Sequence, residues 1–321
     1  MMSAPETAGA GTEAGSPRAA GEAAARHEDS LKRWAATAAV AVATLLIAGK
    51  TAAYLATDAV SILSSLIDSL LDLTASLVNF VAIRHAAVPP DRDHRFGHGK
   101  AEPLAGLAQA AFIAGSAVLL VFEAGSRLFR PTPVEDSAVG IAVMLGSIVL
   151  TLGLVLFQRY VVRRTGSVAI GADALHYRSD LLMNASVICA LVLAANFGFT
   201  LADPLFGIAI AFYILISAWS VFSSSLQLLM DRELAQDDRA KIKAIATAHP
   251  AVISMHDLRT RSSGTHTFIQ FHLEMDRDLT LFEAHAISDE VMEQVEAAFP
   301  NAEVLIHEDP DGVEERRAVF R

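Results

Sequence analysis

The sequence predicts a membrane-embedded bundle of six transmembrane α-helices, followed by a small α+β domain with the order αββαβ. Three observations carry that expectation. Six stretches, approximately 34–55, 57–83, 103–128, 136–160, 167–197 and 201–229, are long and apolar, and about 20 such residues cross a hydrocarbon core. Hydrophobic residues make up 53% of the 321-residue chain, with mean hydropathy +0.40, above the roughly 45–50% of ordinary soluble domains. Charge is concentrated at the end: from Asp231 onward 19 acidic residues face 10 basic ones, which carries most of the net −11.

These shifts divide the chain into residues 1–30, 31–230 and 231–321. The first thirty are Ala, Gly, Glu and Ser without an apolar core, and are expected to be a disordered tail rather than a secretory signal. The six spans follow with short connections at 56, around 131–135 and around 198–200. Basic residues orient them. Arg26, Lys32 and Arg33 precede the first span; Arg84, Arg92, Arg95 and Lys100 follow the second; Arg159, Arg163 and Arg164 follow the fourth; Arg232 follows the sixth. The other face has only Arg127 and Arg130, with Lys50 near the end of the first span. Both termini are therefore expected in the cytoplasm. Lys50 reads as a snorkelling interfacial residue, and Cys189, the only cysteine, as a small buried side chain that excludes internal disulfides.

The third segment predicts a helix (236–248), strands (251–261 and 266–275), a helix (281–299) and a strand (302–308). DDRAKIKAIATAH and LFEAHAISDEVMEQVEAAF have helical periodicity, and THTFIQFHLEM alternates. That order makes a small open sheet with two helices on one face. Its acidity argues against a nucleic-acid partner.

Two pairs of ionisable residues stand four apart inside apolar spans: Asp68 and Asp72 in the second, His176 and Asp180 in the fifth. Residues four apart share a helical face. A carboxylate at bilayer depth costs roughly 2.5–3.5 kcal/mol on insertion scales, so three of them need a partner or a task. Facing each other, the pairs would offer three carboxylates and an imidazole to a divalent ion in tetrahedral geometry. The plainer alternative is an interhelical clamp of protonated acids. A metal transporter is the reading favoured. Its rivals are a metal-dependent intramembrane hydrolase, for which no HExxH, GxGD or nucleophile elbow is present, and a metal-gated receptor that moves no ion. No GxxxxGK(S/T) loop is present to drive an ATP-powered pump.

Two further clusters have metal-ligating chemistry. In the loop PPDRDHRFGHGKAEPL, Asp91, His94 and His98 could close around one ion, or be a solvated polar loop. In the third segment His256, His272, His285, His307 and Asp309 are dispersed, and spacing alone leaves scattered surface histidine the simpler reading. His307 and Asp309, two apart on a strand, share a face.

Taken together, IDSLLD, DHRFGHGKAE, HYRSD, DRELAQDDR, MHDLRTRSSG, FIQFHLEM and LIHEDP resemble the cation diffusion facilitator family, close to its bacterial zinc and ferrous-iron efflux branch. The resemblance runs from about residue 33 to 310. It implies a homodimeric, proton-coupled exporter of divalent metal in the bacterial inner membrane, with a metallochaperone-like cytoplasmic domain and no enzymatic activity. Zn²⁺ is the first expected substrate, Cd²⁺ and Fe²⁺ the next, and Zn²⁺ is also the expected regulatory ion of the cytoplasmic domain. By motif, Asp68, Asp72, His176 and Asp180 match a transport site, and Asp91, His94 and His98 a lesser loop site. His256, His272, His285, His307 and Asp309 match a two-metal cytoplasmic site with Asp309 bridging. Lys100 and Asp203 match a charge pair that locks helices near the dimer axis. Glu308 stands where a glutamine is familiar, adding negative charge beside the cytoplasmic site.

Overall fold

A computed structural model describes residues 17–57, 60–129, 138–199, 201–264 and 266–313. Arg130, the 131–135 connection and the first sixteen residues lie outside them. The chain divides into two compact units, one of Glu28–Arg232 and another that includes Glu233–Arg321.

Six long helices build the first unit: α1 (Pro17–Thr57), α2 (Val60–Ala86), α3 (Ala101–Phe129), α4 (Ala138–Thr165), α5 (Val168–Phe197) and α6 (Ala202–Leu229). Five of them are long and apolar enough to cross a membrane. The exception is α5, where Asp173, Arg178 and Asp180 interrupt the apolar run. The expected disorder to residue 30 gives way to helix from Pro17. PRAAGEAAARHE is Ala- and Glu-rich with Pro at the first turn, a composition that favours helix.

Small residues let the helices close up, as bundles in lipid require. On α1, Ala35, Ala36, Ala39 and Ala43 are buried, the first two against Ile83 of α2, Val161 of α4 and Ile170 of α5. Gly106 of α3 lies so near α6 that an added Cβ would sit 2.7 Å from the Ser225 hydroxyl, and at Gly207 one would meet Ala124 at 3.2 Å. A buried ion pair, Lys32–Glu102 at 3.0 Å, joins α1 to the start of α3. Cys189 is exposed on α5 rather than buried; a small, weakly polar thiol is tolerated at an outward position of an apolar span.

The second unit follows the expected αββαβ order: α7 (Gln236–Ala246), β1 (Val252–Ser263), β2 (His266–Met275), α8 (Leu281–Ala298) and β3 (Ala302–Pro310). The sheet runs β1-β2-β3, antiparallel between β1 and β2 and parallel between β2 and β3, with α8 as the crossover. Ile242 and Ala246 of α7, Val291 and Val295 of α8, and Ile269, Phe271 and Leu273 of β2 form its core. Helix α8 opens with a capping box in which the Thr280 hydroxyl accepts from the Glu283 amide and the Glu283 carboxylate accepts from the Thr280 amide.

Candidate metal sites

The intramembrane cluster is built by α2 and α5. His176 Nε2 stands 2.9 Å from Asp72 Oδ1 and 3.9 Å from Asp180 Oδ2. Adjacent corners of a tetrahedron around Zn²⁺ are about 3.3 Å apart for bonds of about 2.0 Å, and the two distances bracket that value. Asp68 is not within this three-atom group. It lies one turn from Asp72, on the wall of the same cavity of about 480 Å³, so three of the four expected ligands converge and the fourth borders them.

That cavity also corrects the reading of Lys50. The residue lines it, and its Nζ donates to the Ser65 carbonyl (3.0 Å) and the Ser69 hydroxyl (2.7 Å) of α2. The ammonium is turned inward to these two acceptors, in an acidic neighbourhood, rather than out to the interface.

Around the cluster is a polar network that pair-counting along the sequence misses. Asp173, three residues before His176 on α5, is fully buried. It accepts from Gln158 Nε2 at 2.6 Å, the Ser76 hydroxyl at 3.4 Å and Gln109 Nε2 at 3.5 Å. Ser76 also bonds Tyr177 at 2.8 Å, and Asn79 donates to the Ala169 carbonyl. Helices α2, α3, α4 and α5 are thus tied together beside His176. A second acid in the fifth span, three residues before His176, is the signal by which Asp173 could have been found.

In the loop after α2, Asp91, His94 and His98 converge. Asp91 Oδ1 is 3.3 Å from His94 Nδ1, and its Oδ2 is 3.4 Å from His98 Nε2. The backbone amide of His94 donates to Asp91 at 2.7 Å and that of Asp93 at 2.9 Å. The first of these bonds foremost holds the Asp91 carboxyl below its ordinary value, so it stays an anionic ligand into mild acid. His98 Nδ1 lies 3.3 Å from the Val88 carbonyl, which orients the other nitrogen toward Asp91. Gly97, at φ +76°, supplies the left-handed turn between the histidines. The ring of His85, from the end of α2, stands edge-on to His98 with centroids 4.7 Å apart; the sequence reading passed it over because it lies on the span side of the loop.

In the second unit the sheet register gathers the dispersed histidines. His256 is paired with His272 across β1–β2, and His272 with His307 across β2–β3, making one row over three strands. A bulge after His256, with Asp257 at φ +49°, bends β1 at that point. Asp309 is buried at the centre: its Oδ2 is 3.1 Å from His256 Nε2 and 2.9 Å from His272 Nδ1, and its Oδ1 is 3.2 Å from His307 Nε2. Asp309 Oδ1 and both His256 ring nitrogens are buried without a hydrogen-bond partner, as suits groups whose partner is a metal ion. His285 is not among them: it is exposed on α8 and pairs with Asp289 at 3.5 Å, one helical turn along its own element.

Lys100 does not meet Asp203. Its Nζ is 2.9 Å from Asp231 Oδ1. Asp203 opens α6 and Asp231 follows its last turn, so 28 helical residues, about 40 Å, separate the two acids. Lys100, just before α3, is at the Asp231 end.

Residues 36–230 match the cation efflux transmembrane domain and residues 234–311 the cation efflux protein cytoplasmic domain. The cation-efflux pump FieF of Shewanella oneidensis is 52% identical over 280 residues, covering 87% of this chain and 94% of that protein. FieF of Escherichia fergusonii is 48% identical over 279 residues, 87% and 93% of the two chains. A solved structure of the zinc transporter CzrB in its Zn form is 32% identical, covers 27% of this chain and 99% of that one, and has a TM-score of 0.25. The two domain matches, with the relatives spanning almost all of both, leave no place for the hydrolase and receptor readings. The chain belongs to the cation efflux family, the cation diffusion facilitators: it is a multi-pass membrane transporter that exports divalent cations, not an enzyme, in a family whose members are typically homodimers.

Proposed function

We propose that the protein exports Zn²⁺, with Cd²⁺ and Fe²⁺ as secondary substrates, in exchange for protons across a bacterial inner membrane. The observation that carries the proposal is the approach of Asp72, His176 and Asp180 ligand atoms within one intramembrane cavity. Asp68, on the wall of the same cavity, completes the set as the fourth ligand. Three carboxylates and an imidazole suit a borderline ion such as Zn²⁺. These ligands bind metal deprotonated, so protons and metal compete for one set of atoms, which is the chemistry of an antiporter.

Both termini are assigned to the cytoplasm because basic residues gather on their side of the bundle. The protein works as a homodimer in the lipid bilayer with no nucleic-acid partner. Asp91, His94 and His98 hold a second ion near the cytoplasmic surface. His256, His272, His307 and Asp309 hold a regulatory Zn²⁺ in the second unit, where it stabilises the dimer competent for transport. The domain limits proposed are 1–30, 31–230 and 231–321.

The test is Zn²⁺ flux into proteoliposomes carrying the full chain, with and without a pH gradient, beside Asp72→Ala. Gradient-dependent flux that disappears in the variant is expected. Saturable zinc binding by a folded dimer without flux, or undiminished flux in Asp72→Ala, would overturn the assignment.

A further inference from the structure

Among the described residues, Lys50 is the only lysine or arginine on the wall of the intramembrane cavity. Its place along the bundle gives it a direction. The cavity is lined by Lys50 near the end of α1, Ser65 near the start of α2, Glu123 near the end of α3 and Asn184 in the second half of α5. In an up-and-down bundle these positions belong to one half, that of the α1–α2, α3–α4 and α5–α6 connections. The basic loops lie at the other end. Lys50 therefore stands between the Asp72–His176–Asp180 cluster and the face toward which, on the proposed orientation, metal leaves.

The ammonium is also held. Ser69, one of its two acceptors, is buried and adjoins Asp68 on α2. Two of three donors are used on Ser65 and Ser69, which leaves one for a carboxylate or a water joining it to one. A side chain fixed in this way sits beside the carboxylates without filling their coordination positions. With the three aspartate ligands deprotonated, a dication leaves one negative charge in excess, and the Lys50 ammonium offsets it; Glu123 on the same wall and buried Asp173 are further acids of this region.

We propose that Lys50 is a tethered counter-ion of the transport site: it balances the excess carboxylate charge and, by repelling a dication, weakens recapture of metal from the exit side. The inference rests on the transport-site reading above. It makes Lys50 a positioning charge rather than a ligand, and it gives the exporter a built-in bias toward release.

The experiment uses the full chain in proteoliposomes at pH 8, where proton competition is smallest. Zn²⁺ flux is measured against increasing Zn²⁺ on the exit side for wild type, Lys50→Gln, Lys50→Arg and Asp72→Ala. Lys50→Gln is expected to be inhibited at exit-side zinc lower by on the order of tenfold, with reduced turnover and a lower KM; Lys50→Arg keeps the wild-type profile. Wild-type sensitivity to exit-side zinc in Lys50→Gln, with Asp72→Ala inactive, overturns the counter-ion and leaves the transport site intact. Flux retained in Asp72→Ala instead removes the site itself. Should Lys50→Gln fail to fold, Ser69→Ala keeps the charge but loosens its anchor; a rise in exit-side inhibition supports the proposal and an unchanged profile sinks it.

Discussion

A helix repeats every 3.6 residues, so Asp68–Asp72 and His176–Asp180 announce a shared face before any coordinates exist. That regularity is why three of four expected ligands meet, with His176 Nε2 at 2.9 Å from Asp72. Lys50 was illegible for the opposite reason: a lysine near the end of an apolar span has the same sequence signature whether its stem runs out to the interface or back to Ser69. At this scale two results are expected. His176→Asp, which replaces an imidazole by a harder oxygen ligand, should shift transport preference from Zn²⁺ toward Mn²⁺, measured as the ratio of fluxes. Asp309→Asn should weaken zinc binding to the second unit by on the order of 100-fold, measured by calorimetric titration, because the carboxylate touches all three histidines.

Elements reveal a different boundary between the readable and the unreadable. Hydropathy marks spans well because the bilayer demands about 20 apolar residues, and alternation marks β2. Which end of a long helix a charge occupies is equally readable in hindsight, since Asp203 and Asp231 bracket α6; a motif match alone cannot tell them apart, whereas helix length does. His285 stands apart from the strand row because it is carried by a helix, and its α8 position brings it to Asp289. The α8 cap yields a pH prediction. Glu283 is held below the usual carboxylate value of 4.5 by its bond from the Thr280 amide foremost. A depressed folded-state pKa gives stability that is full above about pH 4.5 and fades as the pH falls through the lowered value. Glu283→Gln should therefore be less stable than wild type in urea melts of residues 233–321 at pH 7, with the difference shrinking as the pH falls below the lowered value. Thr280→Ala should cost about 1 kcal/mol in the same melts at pH 7.

Across the whole molecule, an apolar block precedes an acidic end, and the compact helical unit runs Glu28–Arg232. Contacts within each unit, above all the Asp173 network spanning four helices, depend on interhelical register that no single segment encodes. A chain ending after Met230 would retain Asp72, His176 and Asp180 but lose the histidine row. Its zinc flux and dimer population are expected to fall while its order of metal preference holds, checked by transport assay and by size in detergent.

The row His256–His272–His307 also has a bearing on how β3 finds its place. Strand side chains alternate, so a slip of β3 by one residue would turn His307 and Asp309 away and bring Glu308 to the histidines. The misaligned sheet would offer an ion a different and poorer ligand set. Metal would then act as a proofreader of the sheet, rewarding one alignment among its neighbours, so that the ion proposed as the transporter's cargo would also help to complete the folding of newly made copies.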